Sequence, residues 1–262
     1  MVLLGYSASF MIIGFLGTGH ITSSVIEGIL TSKLKIKTIY ISPRNKLIAK
    51  KLSKRFKKIT ISKNNQQLID KSNWIFLAIT PQVGKKILKQ LNFKKNKKIV
   101  SFISTINLKD LKKYTKNNNV TRVIPLPFIG RRKGPIIISP IDKKVKSFFK
   151  HLGKVIEIKS EKVSKGFWAT SSFMAPFYNL ALETSNWLAS KGVKQKKAES
   201  YVRELFLALS EDSIVKNKLS LKALVLQSQT PGGTNEYVLK KLRKKNFYKV
   251  QQKVLNSVFK KF

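Results

Sequence analysis

Over the first 158 residues, short apolar runs rich in β-branched side chains alternate with lysine-rich stretches. The runs are Met11–Leu16, Ile36–Ile41, Ile59–Ile61, Trp74–Ile79, Ile99–Ile103, Val120–Ile124, Pro135–Ser139 and Val155–Ile158. Several are apolar throughout, as parallel strands are when both faces are covered. Helical spacing appears between them: Ile21, Val25 and Ile29 make one stripe, and Leu47, Leu52 and Phe56 roughly make another. This strand–helix alternation predicts an α/β, doubly wound sheet over residues 1–158.

The strand pattern then stops. From Glu161 onward apolar residues recur at helical spacing, through Phe177, Leu180, Ala181, Trp187 and Leu188 and again through Tyr201, Leu205, Ala208 and Leu209. Leu219 to Leu226 reads as a short apolar helix, and Thr230-Pro231-Gly232-Gly233 as a loop entering another, capped by Thr234 or Asn235. An all-helical region of three or four helices is expected over residues 159–262. So few helices close a core poorly, which points to completion by a second copy in a homodimer or larger oligomer.

Composition narrows the chemistry. The 262 residues include no cysteine, which excludes disulfides, thiolate catalysis, Cys-based zinc sites and iron–sulfur clusters. With only His20 and His151, a Ser-His-Asp apparatus or a His-rich metal site has little to work with. The formal net charge is +41, from 53 basic residues against 12 acidic ones, and it invites a nucleic-acid reading. The charge is nearly all lysine, however, and is spread from Lys33 to Lys261, unlike an arginine-bearing recognition face. The reading is a solvated surface with weak, salt-sensitive affinity for polyanions and no specific nucleic-acid partner. Met1–Leu16 is almost wholly apolar but lacks a basic leading segment and a clear cleavage site, and it is short for a membrane span. It reads as the first strand preceded by an extension or mis-assigned start, Met1–Phe10. A cytoplasmic protein without a membrane segment is expected.

The first strand leads into Gly14-Phe15-Leu16-Gly17-Thr18-Gly19-His20-Ile21-Thr22. Gly17 suits a tight turn, Gly19 suits close approach of a pyrophosphate to a helix N-terminus, and Thr22 keeps the helix close to the strand. Strand before and helix after make this a dinucleotide-binding reading, of Rossmann type, with Gly17, Thr18, Gly19, His20 and Ile21 against the cofactor. The plainer reading of His20 is a helix-end surface residue. The second strand ends in Ser42-Pro43-Arg44-Asn45, with no acid to take a ribose 2′-hydroxyl. Ser42, Arg44 and Asn45 instead suit a 2′-phosphate, which predicts NADP over NAD.

These motifs resemble those of the pyrroline-5-carboxylate reductase family. The opening glycine segment, the Ser42–Asn45 turn, Trp74-Ile75-Phe76-Leu77-Ala78-Ile79-Thr80-Pro81-Gln82, Ile99–Ser104 with Leu108–Leu111, Val123-Ile124-Pro125 and Thr230-Pro231-Gly232-Gly233-Thr234 occur in the family's order, from about Met11 to about Leu242. The resemblance implies a dinucleotide domain followed by a helical dimerisation domain, and NADPH-dependent reduction of a cyclic imine such as 1-pyrroline-5-carboxylate. It implies that Ile79, Thr80, Pro81 and Ser104 lie along the cofactor towards the nicotinamide. Thr234 and Asn235 would meet the substrate, across the dimer interface from the first domain. The chain departs from the family at Pro125-Leu126-Pro127-Phe128, where an Asn is usual; at Ser171-Ser172-Phe173-Met174-Ala175-Pro176, where a Gly-rich turn is usual; and at Asn235, where a Thr is usual.

Two other functions stay open on sequence. A hydroxyacid-type NADP dehydrogenase would need a base, for which Lys165 is the convenient residue. A catalytically degenerate dinucleotide sensor would need only the first domain. Arg131-Arg132-Lys133 reads either as a carboxylate-binding loop or as a solvated one. Glu183 reads as an acid or as a helix ion-pair partner. Trp168 and Trp187 read as core or interface aromatics.

Overall fold

A computed structural model describes residues 10–261; of the extension Met1–Phe10, residues 1–9 lie outside the described part. The chain divides between Trp168 and Ala169 into two compact units.

The first unit is an eight-stranded sheet in the order β3-β2-β1-β4-β5-β6-β7-β8. The strands are β1 (Met11–Leu16), β2 (Ile36–Ile41), β3 (Ile59–Ile61), β4 (Trp74–Leu77), β5 (Lys98–Ser101), β6 (Val120–Ile124), β7 (Pro135–Ser139) and β8 (Lys154–Glu157). Its helices are α1 (His20–Leu30), α2 (Lys46–Arg55), α3 (Asn65–Lys71), α4 (Pro81–Ile87), α5 (Leu108–Thr115), α6 (Lys143–Phe149) and most of α7 (Glu161–Ser171). The first six strands run parallel, as the alternation predicts, and β7 reverses against β6. Ten residues, including the 3₁₀ turn Pro127–Arg131, join β6 to β7. That is too short for a parallel crossover, which takes a dozen residues or more. The longer link through α6 returns β8 parallel to β7.

Alternation along the strands sends side chains to two covered faces. Phe15 and Phe76 join one cluster with Val25, Ile26 and Ile29 of α1 and Phe148 and Phe149 of α6. Leu16, Ile75 and Leu77 join the other, under Leu68 and Ile69 of α3 and Leu111 of α5. The first helical stripe is thus as expected. The second holds only in part: Leu52 is buried and Phe56 packs against the same cluster, but Leu47 is 81% exposed and Ala49 turns inward in its place. The phase of a short, lysine-rich helix is set by what it packs on, and Ala49 was too small to mark it. Two strands also end earlier than their apolar runs. Beyond Leu77 and Ser101 the chain peels away after one further ladder bond each, Ala78 N–H to Leu16 O and Phe102 N–H to Leu77 O. Ile103 is apolar because it packs beneath the helices, not because it pairs in the sheet.

The second unit holds the rest of α7, then α8 (Met174–Ala189), α9 (Gln195–Val215), α10 (Leu221–Gln227), α11 (Thr234–Lys244) and α12 (Phe247–Phe259). With α7 this makes six helices among the described residues after β8, against the three or four expected. The breaks at Gly192, Ser220 and the left-handed Asn246 divide what reads as fewer continuous stripes. Among the described residues no helix is long and apolar enough to cross a membrane.

Candidate functional site

The strand order reverses between β1 and β4, so their carboxyl ends open the crevice where ligands of such sheets bind. β1 runs straight into the glycine turn. Gly17 has φ +108°, and a β-carbon there would lie 2.2 Å from the Ala78 carbonyl oxygen, so the turn tolerates only glycine. Gly19 occupies the N-cap of α1 with no side-chain cap, and the first turn holds no acid. A β-carbon on Gly19 would meet nothing within 4 Å, so the space over this helix end is open. The amides of the first turn, from His20 and Ile21 onward, therefore face it with the positive end of the helix dipole. That is a cradle for a phosphate.

A closed set of hydrogen bonds fixes this cradle. Thr22 Oγ1 donates to Gly17 O at 2.9 Å. Thr18 Oγ1 donates to Ser42 O at 2.7 Å, and the Gly17 amide donates to Ser42 Oγ at 3.2 Å. The Thr18 and Ser42 hydroxyls lie 3.2 Å apart, and with the Thr18 proton already given to Ser42 O, Ser42 Oγ supplies the other. Ser42 is 2% exposed. The structure thus gives it a different task from the one its sequence position suggests: its hydroxyl braces the glycine turn instead of lying open beside a 2′-phosphate. Arg44 follows on the exposed side of the same turn. Asn45 caps α2, its Oδ1 accepting from Ile48 N at 3.2 Å. The side-chain amide remains for an external ligand, next to Arg44.

Across the crevice, Ile79 is half-buried behind β4 and Thr80 caps α4 through its backbone alone, with Pro81 opening that helix. Ser104 sits in the loop after β5. Adjacent strands thus bring Thr80, Pro81 and Ser104 to the carboxyl edge of the sheet. The sequence reading passes over what holds the Ser104 loop, the guanidinium of Arg122 in β6. It is 1% exposed and donates to the carbonyls of Ile103 and Ser104 at 2.7 Å each and to that of Ile106. Its partner is Glu161, at 2.8 Å. Burial pushes the Arg122 pKa down, and the Glu161 charge opposes that. One signal was legible: the one charged residue of a β-branched strand covered on both faces.

In the second unit the Pro-Gly-Gly loop is a tight turn. Gly232 has φ +73°, and Gly233 N–H donates to Thr230 O at 2.8 Å. Neither Thr234 nor Asn235 caps the following helix; Gly233 takes that position. Glu236 reaches back, its carboxylate accepting from the Gly232 amide at 2.9 Å, and Lys240 with that amide holds its pKa below the usual range. Asn235 Nδ2 donates to Ser228 O at 2.9 Å, which ties it to the preceding turn and leaves its carbonyl oxygen exposed. Thr234 is exposed beside it. Of the other residues singled out, Arg131, Arg132, Lys133, Lys165 and Glu183 are exposed, and Trp168 packs on Ile124, Ile137 and Ile158.

Comparison with known proteins agrees with this geometry. Residues 12–107 match the family described as NADP oxidoreductase coenzyme F420-dependent. A pyrroline-5-carboxylate reductase of Arabidopsis thaliana is 25% identical over 264 residues, covering 94% of this chain and 92% of the relative. Over nearly its whole length the chain is thus similar to pyrroline-5-carboxylate reductases. The fold agrees along its length. The crystal structure of the Streptococcus pyogenes enzyme superposes with TM-score 0.82 at 22% identity, covering 96% of this chain and 97% of that one. The Plasmodium falciparum pyrroline carboxylate reductase, solved with NADP bound, also gives 0.82, at 18% identity and 96% of each chain. The match takes in both the sheet and the helical region, so the departures at Leu126, Phe173 and Asn235 are local changes on a shared frame.

Proposed function

We propose that this chain is an NADPH-dependent reductase of a cyclic imine, with 1-pyrroline-5-carboxylate or a close analogue as substrate. The observation that carries the reading is the uncapped, open N-terminus of α1 behind a turn that only Gly17 can make, next to an acid-free selector turn. NADPH, when bound, supplies a hydride to the imine carbon. Thr18, Gly19, His20 and Ile21 receive the pyrophosphate on backbone amides, while Gly17, its own amide tied to Ser42, makes the turn that brings them together. Arg44, with the Asn45 amide, takes the 2′-phosphate, while Ser42 holds the turn in shape from behind. Ile79, Thr80, Pro81 and Ser104 line the nicotinamide side. Thr234 and Asn235 are the substrate residues: the Thr234 hydroxyl donates to a carboxylate, and Asn235, its amide already tied to Ser228, presents an oxygen that accepts from a protonated imine nitrogen. An iminium is already electrophilic, so positioning and water exclusion are the protein's main contribution.

The working form is a homo-oligomer, at least a dimer, joined through the second unit. Its helices expose Trp187, Tyr201, Leu209 and Ile214, apolar area that a second copy would cover. The chain's place of action, on this reading, is the cytoplasm, as a biosynthetic enzyme. The test is NADPH consumption by the purified protein with a series of cyclic imines and, separately, 2-hydroxyacids with NADP. Turnover on a carboxylated cyclic imine supports the reading. Turnover on hydroxyacids alone favours the dehydrogenase, with Lys165 as base, and binding without turnover favours a sensor.

A further inference from the structure

A charged group is costly to bury in a sheet unless every part of it is matched. Arg122 is buried in β6, between Ser101 of β5 and Ser139 of β7 in register. Its two terminal nitrogens face three carbonyls from one short segment, those of Ile103, Ser104 and Ile106. Carbonyls satisfy hydrogen bonds but not charge; the charge is met by Glu161, at 2.8 Å, from the first residue of α7. Glu161 in turn accepts the Leu108 amide on both oxygens, each at 3.0 Å, where that segment enters α5. Arg122 Nε, among the described residues, has no partner. The guanidinium is therefore aimed by the loop and the carboxylate alone.

We propose that Arg122 and Glu161 form a latch that fixes the backbone of residues 102–107 and so positions the nicotinamide side of the site. The inference rests on the reading of Ser104 as a nicotinamide-side residue. Arg122 touches no reacting atom; it acts through the loop. The fork of three carbonyl contacts demands the planar guanidinium, and lysine offers only a point charge. Glutamine at 161 keeps the shape and removes the charge. Because Glu161 opens the helix that carries the chain out of the sheet unit, the latch also fixes where that helix begins.

The test uses Arg122→Lys and Glu161→Gln in the full chain, checked for folding by thermal unfolding. Two readouts do not depend on imine turnover. Amide exchange across residues 103–108 should speed up by about tenfold or more, with the Leu108 amide the most affected and β1 and β4 unchanged. Emission of bound NADPH, which reports the nicotinamide surroundings, should change while NADPH affinity stays within about threefold, because the phosphate contacts lie elsewhere. On the cyclic imine, kcat should then fall at least about tenfold with KM for NADPH nearly unchanged. Unchanged exchange at 103–108 overturns the latch. Faster exchange with unchanged NADPH emission makes Arg122 a structural residue only and overturns its positioning role. A wild-type protein inactive on all imines would sink the proposed reaction, while the latch would still be decided by exchange and emission.

Discussion

The two units treat apolar side chains in opposite ways. In the sheet unit most large apolar residues of the central strands are buried, and Phe76 alone meets Phe15 at 4.6 Å and Phe102 and Phe148 at under 6 Å between ring centroids. In the helical unit the fully buried residues are few and small, such as Ala198 and Val202, while Ile214 is 68% exposed. Both halves carry apolar residues at helical spacing. The sheet unit contains both walls of its core, whereas on the proposed dimer reading the helical unit contains one. A sequence stripe declares that a surface is to be covered; it does not say by which chain.

The sharpest way to break this contrast is to place charge on the uncovered wall. Trp187→Glu with Leu209→Glu should leave the sheet unit folded but abolish assembly. A buried unpaired charge costs about 3–5 kcal/mol, and a two-fold contact meets each change twice. Sedimentation at micromolar concentration should show dimers or larger for the parent and monomers for the variant; a folded, monomeric parent would contradict the comparison. Next comes Phe76→Ala in the closed wall, which should cost about 3–5 kcal/mol in denaturant unfolding, independent of protein concentration. A concentration-dependent loss would mean that the sheet unit also relies on a partner.

The remaining two effects are smaller and confined to the sheet unit. Arg44→Ala should weaken NADPH by about 1.5–3 kcal/mol and leave NADH nearly unchanged, as titration of both cofactors would show. Equal losses would take Arg44 away from the 2′-phosphate. Asp142 caps α6 and pairs with Lys98. Burial pushes its carboxyl up, but hydrogen bonds from Lys98 and from the Val145 and Lys144 amides, with the Lys98 charge, outweigh this and hold its pKa below the ordinary value. Its stabilisation is therefore present above an unfolded-state pKa of about 4 and is lost as pH falls through the lowered folded value. Asp142→Ala should cost about 1 kcal/mol at neutral pH and flatten the acid limb of a stability–pH curve.

The glycine turn, the doubly wound sheet and the acid-free selector turn were legible because each depends on local chemistry: a positive φ, a β-branched run, a missing carboxylate. What was not legible depends on distant partners. Ser42 reads as a ligand from its place after β2, and only the fold shows its hydroxyl turned inward to Gly17 and Thr18. Arg122 and Glu161 are 39 positions apart and have no spacing to announce them. Asn235 reads as a cap, yet the left-handed Gly232 lets Gly233 cap and sends the Asn235 amide back to Ser228. Helix boundaries in the second unit blurred because its stripes continue across the breaks.

The central claim is that the glycine cradle presents a nicotinamide to a cyclic imine for hydride delivery. The direct measurement is label transfer from NADPH stereospecifically deuterated at the nicotinamide C4, with 1-pyrroline-5-carboxylate and the intact chain. The account predicts one deuterium on the former imine carbon of the product from one of the two C4 epimers and none from the other. NADPH that binds but transfers no label to any carboxylated cyclic imine would contradict it.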